Sequence, residues 1–293
     1  MFRGTYTALV TPFKKGAVDF SALEGLVERQ VKAGVEGIVL LGTTGESPTV
    51  RAEERRDILR RVVQQAKGRT HVLAGTGSNS TEHTMELTRE AAELGCDAAL
   101  LVAPYYNKPT QDGLFAHFQA VARASQLPLM LYSIPSRCGV EIGLETLQKL
   151  ASTCSTIVAI KEAGGSVDRV SQMRQMLPDS FEVLSGDDSL TLPFVSVGAV
   201  GVVSVVSNIV PERVRKLVDA ALGSHLREAE STHRALMPLF KDCFIETNPA
   251  PVKAALAMMG WIPEETCRLP LVAMSEANRS RLAATLRTCG LIS

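Results

Sequence analysis

Residues 156–162 read Thr-Ile-Val-Ala-Ile-Lys-Glu. Four apolar residues, Ile157-Val158-Ala159-Ile160, run without interruption into Lys161. A short continuous apolar run of this kind suits a strand covered on both faces, as in a parallel sheet wrapped by helices. If side chains alternate strictly along it, Lys161 points the same way as Ile157 and Ala159.

The same unit recurs on either side. Upstream lie Thr5–Val10, GIVLLG at 37–42, HVLAG at 71–75, AALLV at 98–102 and LPLMLY at 127–132; downstream lie FEVLS at 181–185 and VGVVSVV at 200–206. The stretches between them carry helical spacing. Leu23, Leu26, Val27 and Val31 line one face after a start near Ser21, and Ile58, Leu59, Val62, Val63 and Ala66 do so in the next. Eight strand–helix units predict an α/β protein, a closed (β/α)₈ TIM barrel, which takes about 250 residues. A doubly wound open sheet is the alternative. From Ser224 the strand signals stop, and 225–242, 249–260 and 276–288 read as helices interrupted by Pro238, Pro249, Pro251 and Pro263. The expected organisation is a barrel carrying the active site over 1–223 and a C-terminal helical subdomain over 224–293.

Composition narrows the function classes. Lys plus Arg and Asp plus Glu are both 31 of 293 residues, so the formal net charge is zero. That gives no electrostatic footprint for nucleic acid or an acidic membrane. The six cysteines form no CxxC pair, which excludes a zinc ribbon or thioredoxin motif. The N-terminal MFRGTYTALVTPFKKG reads as neither signal peptide nor membrane span, so the expected compartment is the cytoplasm.

A parallel barrel carries its active site at the C-terminal ends of its strands. The residues expected there are Gly42-Thr43-Thr44-Gly45-Glu46, Gly75-Thr76-Gly77, Pro104-Tyr105-Tyr106-Asn107, Tyr132 with Pro135-Ser136-Arg137, Lys161-Glu162, Gly186-Asp187-Asp188 and Val203-Ser204. Polar groups thus gather at one rim. Lys161 leaves a buried strand, and desolvation of an ammonium lowers its pKa. A neutral amine there can attack a carbonyl and form a Schiff base; an isolated strand-end lysine would instead snorkel to solvent. Tyr132 and Tyr106 are candidate proton carriers, with Thr43 as an intermediate hydroxyl. Three of the four tyrosines stand at strand ends expected to face one mouth. The GTTGE segment reads either as a backbone cradle for a carboxylate or as a glycine-rich turn; it matches neither a Walker loop nor GxGxxG. Arg137 can pair with a substrate carboxylate or make a surface ion pair. Asp187 and Asp188 lack a third ligand at metal spacing, and the five histidines form no HExxH pair, so neither metal nor cofactor is expected.

On these residues the whole chain resembles the dihydrodipicolinate synthase family, within the pyruvate-dependent lyases that include N-acetylneuraminate lyase. The motifs carrying the resemblance are GTTGES at 42–47, AGTGSN at 74–79, PYYNKPTQ at 104–111, YSIPSRCG at 132–139, IKEAGG at 160–165, LSGDD at 184–188 and NPAPVK at 248–253. The resemblance implies that Lys161 forms an imine with pyruvate and that Tyr132 is the general acid/base. Thr43 and Tyr106 complete the relay, Tyr106 from a neighbouring subunit. It implies that Thr44, Val203 and Gly186 line the pyruvate site and that Arg137 receives the carboxylate of L-aspartate-β-semialdehyde. The expected assembly is a homotetramer built as a pair of dimers. Ser133 stands where asparagine is usual, Cys138 where threonine is usual and Val203 where isoleucine is usual. At the lysine effector site of sensitive relatives, Ser47, Asn79 and Tyr105 match. Arg55 replaces a common histidine and His83 a glutamate, which predicts weak or absent lysine inhibition. The alternatives are another lyase of the family, cleaving a sugar-derived keto acid, and a non-catalytic pyruvate-binding regulator.

Overall fold

The computed structural model describes residues 2–293. Eight parallel strands close on themselves: β1 (Gly4–Ala8), β2 (Gly37–Leu40), β3 (His71–Gly75), β4 (Ala98–Val102), β5 (Leu129–Ser133), β6 (Ile157–Glu162), β7 (Glu182–Ser185) and β8 (Gly201–Ser204), with β8 pairing back onto β1. Helices α1 (Phe20–Ala33), α2 (Ala52–Ala66), α3 (Thr81–Glu93), α4 (Gln111–Ala124), α5 (Leu144–Thr153), α6 (Val167–Met176), α7 (Thr191–Ser196) and α8 (Pro211–Leu222) follow the strands in turn. Three more close the chain: α9 (Leu226–Asp242), α10 (Ala250–Met258) and α11 (Glu276–Thr288). The barrel is the expected one, and the open sheet is excluded.

Local chemistry sets the helix ends. Asp19 caps α1 by accepting from the Ala22 N–H at 3.0 Å, and Gly34 ends it in the left-handed region at φ 73°. Ser80, Thr110 and Ser166 cap α3, α4 and α6 in the same way. The inner wall of the barrel packs Tyr6, Val39, Leu73, Leu100, Met130, Tyr132, Ala159, Leu184 and Val203 together. Outside it, one helical layer includes Leu26, Ile58, Leu217, Leu239, Leu256 and Leu282 in a single cluster, so α9–α11 share their core with the barrel.

Several strand ends differ from the sequence reading, and each difference has a cause. VGVVSVV stops at Ser204 because the Asp188 carboxylate accepts from the N–H groups of Val205 and Val206, at 2.9 and 3.2 Å, and draws the chain off the sheet. GIVLLG stops at Leu40 because Leu41 adopts a positive φ of 56°. Thr5–Val10 stops at Ala8, and Asn208 takes the Val10 N–H at 3.1 Å. A short hairpin of Phe13–Lys14 and Ala17–Val18 was not foreseen.

Two expectations need correcting. Pro238 does not interrupt α9; it sits on an exposed face four residues after Arg234, also exposed, so the carbonyl that loses its partner meets water. Nor does Ile157 share a face with Lys161. Leu129 pairs with Ile157 but Met130 with Ala159, leaving Val158 as an extra residue on β6. Ile157 therefore packs in the outer layer with Ile160, while Ala159 and Lys161 turn inward.

Candidate active site

Lys161 and Tyr132 are register partners on neighbouring strands, both inward-facing and each 5% exposed. The lysine Nζ lies 4.2 Å from the centroid of the tyrosine ring. Burial pushes the Lys161 amine down to about 8; the Asp188 carboxylate opposes the shift and the Arg137 guanidinium adds to it. Burial likewise holds the Tyr132 phenol well above its usual range, with Thr43 as a hydrogen-bond partner that partly offsets it. Near neutral pH the tyrosine is thus a proton donor and the lysine is partly neutral.

The floor is shaped around the lysine stem. Gly186 follows β7, and a Cβ there would lie 3.1 Å from Cγ and Cε of Lys161 and 2.7 Å from Cβ of Ala163. Val203 is buried in the same inner wall as Tyr132. Asp188, 1% exposed, accepts from the Ser204 hydroxyl as well as from two backbone N–H groups, and burial raises it to about 6 despite those bonds. Asp187 caps the turn by accepting from the N–H and hydroxyl of Ser189, each at 2.8 Å. Asp187 and Asp188 thus hold β8 and its turn.

Above this floor opens a cavity of about 1250 Å³, whose lining includes Gly42, Thr43, Tyr132, Arg137, Cys138 and Asn248. Arg137 is carried by one helical turn, Pro135–Cys138, and is exposed to the cavity. Cys138 is turned inward, and burial pushes its thiol up to about 11. Ser133 lies wholly buried, accepting from the Ile142 N–H at 3.4 Å. Thr44 is 3% exposed, and its hydroxyl accepts from Asn248 at 2.9 Å.

Tyr106 does not join this group. It stands 88% exposed on a backbone with φ 75°, away from its own cavity, whereas Tyr105 lines the cavity. The expectation that three tyrosines face one mouth holds for two within the chain.

The cavity continues toward α2 and α3, where Ser47, Arg55, His83 and Tyr105 line it. Asn79 is outside the lining, its carbonyl accepting from the Asn107 side chain at 2.9 Å. Arg55 is buried, donates to the Gly75 carbonyl at 3.0 Å and lies 3.4 Å from Glu90. Its charge is therefore countered, and its expected repulsion of a cationic effector is weakened. His83 is exposed and 3.3 Å from Glu86.

A sequence model of the Dihydrodipicolinate synthetase family matches residues 1–289. The chain belongs to this family. It is 48% identical over 292 residues to the 4-hydroxy-tetrahydrodipicolinate synthase of Endomicrobium trichonymphae, covering 100% of both chains. It is similar to the solved 4-hydroxy-tetrahydrodipicolinate synthase of Methylacidiphilum fumariolicum SolV, at 51% identity and TM-score 0.97 over 99% of this chain and 96% of that one. The dihydrodipicolinate synthase of Aquifex aeolicus has 49% identity and TM-score 0.97, with 99% of each chain covered.

Sequence reasoning passed over two contacts of this family member. The NPAPVK motif marks the family, but nothing in its residues announces what Asn248 and Lys253 hold. Lys253, fully buried on α10, holds Glu46 of the GTTGE loop at 2.7 Å. A lysine set in an apolar helix, with no local partner, was the available signal.

Proposed function

We propose that this chain condenses pyruvate with L-aspartate-β-semialdehyde through a Schiff base on Lys161, the 4-hydroxy-tetrahydrodipicolinate synthase activity carried by its relatives. The observation that carries the reading is a buried lysine, lowered to about 8, packed against a protonated tyrosine at the closed barrel's mouth. The neutral Lys161 amine adds to C2 of pyruvate, and the carbinolamine loses water to give the imine. Loss of a methyl proton gives the enamine, whose carbon attacks the aldehyde carbon of the second substrate while the aldehyde oxygen takes up a proton. The amino group of that substrate then closes the ring on the imine carbon and releases Lys161. One water leaves overall.

Tyr132 moves protons at the carbinolamine oxygen, which leaves as water, and at the aldehyde oxygen, relayed by Thr43. Tyr106 completes the relay in a second copy, which its outward position supports. Thr44, Gly186 and Val203 bound the pyruvate pocket, and Arg137 pairs with the second carboxylate. The assembly that brings Tyr106 to a neighbour is a homotetramer of two dimers. Residues 224–293 serve as a helical subdomain buttressing the barrel of 1–223. Among the described residues no helix is long and apolar enough to cross a membrane, in keeping with a cytoplasmic enzyme. Weak lysine inhibition now rests on His83 more than on Arg55.

Incubation with pyruvate and borohydride, followed by peptide mass spectrometry, tests the central step. The expected adduct is on Lys161; an adduct elsewhere, or none, overturns the mechanism. Coupled assays with aspartate semialdehyde and with N-acetylmannosamine then decide between synthase and sugar-acid lyase.

A further inference from the structure

The C-terminal segment enters the site at two points on one loop. Asn248, between α9 and α10, is 5% exposed and lines the cavity; its Nδ2 donates to the Thr44 hydroxyl at 2.9 Å, across 204 positions of sequence. Its Oδ1 is buried with no hydrogen-bond partner. Two residues further along the loop, the buried Glu46 is held by Lys253 at 2.7 Å and by the Arg268 N–H at 2.9 Å. The loop is thus pinned at Glu46, while Asn248 acts on a single hydroxyl.

A threonine hydroxyl both donates and accepts. A ligand carboxylate only accepts, so a hydroxyl that serves it must donate. With Asn248 already donating into the Thr44 oxygen, the Thr44 proton has to point elsewhere. A buried amide left with an unpartnered oxygen is an expensive arrangement for packing alone.

We propose that Asn248 is a positioning residue for pyruvate: its amide fixes the Thr44 hydroxyl as a donor to the substrate carboxylate. The inference rests on the reading that Thr44 takes that carboxylate. It assigns the C-terminal segment a part in substrate recognition, beyond its packing on the barrel.

The test is a double-mutant cycle on the intact protein, measuring KM for pyruvate and kcat, with thermal melting to monitor folding. Thr44→Val should raise KM for pyruvate about tenfold, the worth of a hydrogen bond to a charged group. If Thr44→Val leaves KM unchanged, the reading of Thr44 itself fails. Asn248→Leu should raise KM severalfold with kcat within about twofold, and should add nothing in the Thr44→Val background. Asn248→Asp offers only acceptors, so it should capture the Thr44 proton and raise KM further than Asn248→Leu, although it keeps the shape of the side chain. Should Asn248→Leu not fold, the Asp variant alone and in the Thr44→Val background carries the same comparison. A KM rise from Thr44→Val alongside unchanged KM in the Asn248 variants overturns the proposal. So do additive effects, or a loss confined to kcat and melting temperature.

Discussion

Replacing Gly186 by alanine is the sharpest single test of how the site is built. Ordinary carbon–carbon contacts lie at about 3.5–4.0 Å. At 2.7 Å from Ala163 and 3.1 Å from the Lys161 stem, the added methyl is about 1 Å too close to the first and about half an ångström too close to the second. Ala163 sits directly after β6 and has no side chain to fold away, so the backbone or the lysine must give. Overpacking of this kind costs about 1–3 kcal/mol, and a displaced reacting group commonly loses one to two orders of magnitude in rate. The expected Gly186→Ala variant melts about 2 °C lower for each kcal/mol lost, given the entropy of unfolding of a chain this long. It forms the borohydride-trapped imine at least about tenfold more slowly in single-turnover assays. If melting temperature and trapping rate both match the parent, the claim that Gly186 makes room for Lys161 is wrong.

The pH profile offers a second check. Because burial lowers the Lys161 amine to about 8, kcat/KM for pyruvate should rise with pH and level off above about 8; a limb still climbing beyond pH 10 would refute a depressed lysine. Lys253→Met leaves Glu46 buried without its cation, so denaturant unfolding should record a loss of about 3–5 kcal/mol. Adding Glu46→Gln to it should recover part of that loss, and parent-like stability in the single variant would refute the pair's importance. Glu54 is held near 2, chiefly by its hydrogen bonds from Arg268, against a usual value near 4.5. Its folded pKa is depressed, so its contribution is present above about pH 4.5 and fades as pH falls toward 2, up to about 3 kcal/mol in all. Stability of Arg268→Gln should therefore depend less on pH across that window than the parent's. Arg137→Ala should raise KM for the semialdehyde about tenfold or more with little effect on KM for pyruvate; the reverse split would reassign the arginine.

Apolar runs revealed the eight strands because parallel strands buried on both faces need nothing else, and AALLV at 98–102 and HVLAG at 71–75 match β4 and β3 residue for residue. The rim was legible for the same reason: in a parallel barrel every strand delivers its polar follower to one end. What escaped was set by partners distant in sequence. Nothing near Val205 announces that Asp188 will take its N–H, nor near Thr44 that Asn248 will come to it. Tyr106 was placed at the right strand end, but the direction of its side chain depends on a positive φ that no composition rule supplies. The extra residue at Val158 was hidden because all four residues of the run suit either face.

That extra residue makes the identity of the inward side chain a matter of odd and even counting. Leu129 and Ile157 enter the paired strands in step, and one uncompensated residue changes the parity of everything after it on β6. Were β6 instead to alternate strictly from Ile157 with no such irregularity, Ile160 and Glu162 would turn to the barrel axis and Lys161 would swing into the helical layer. The amine at the centre of this site is thus addressed by a frame, much as a codon is, and the extra residue at Val158 is what sets that frame.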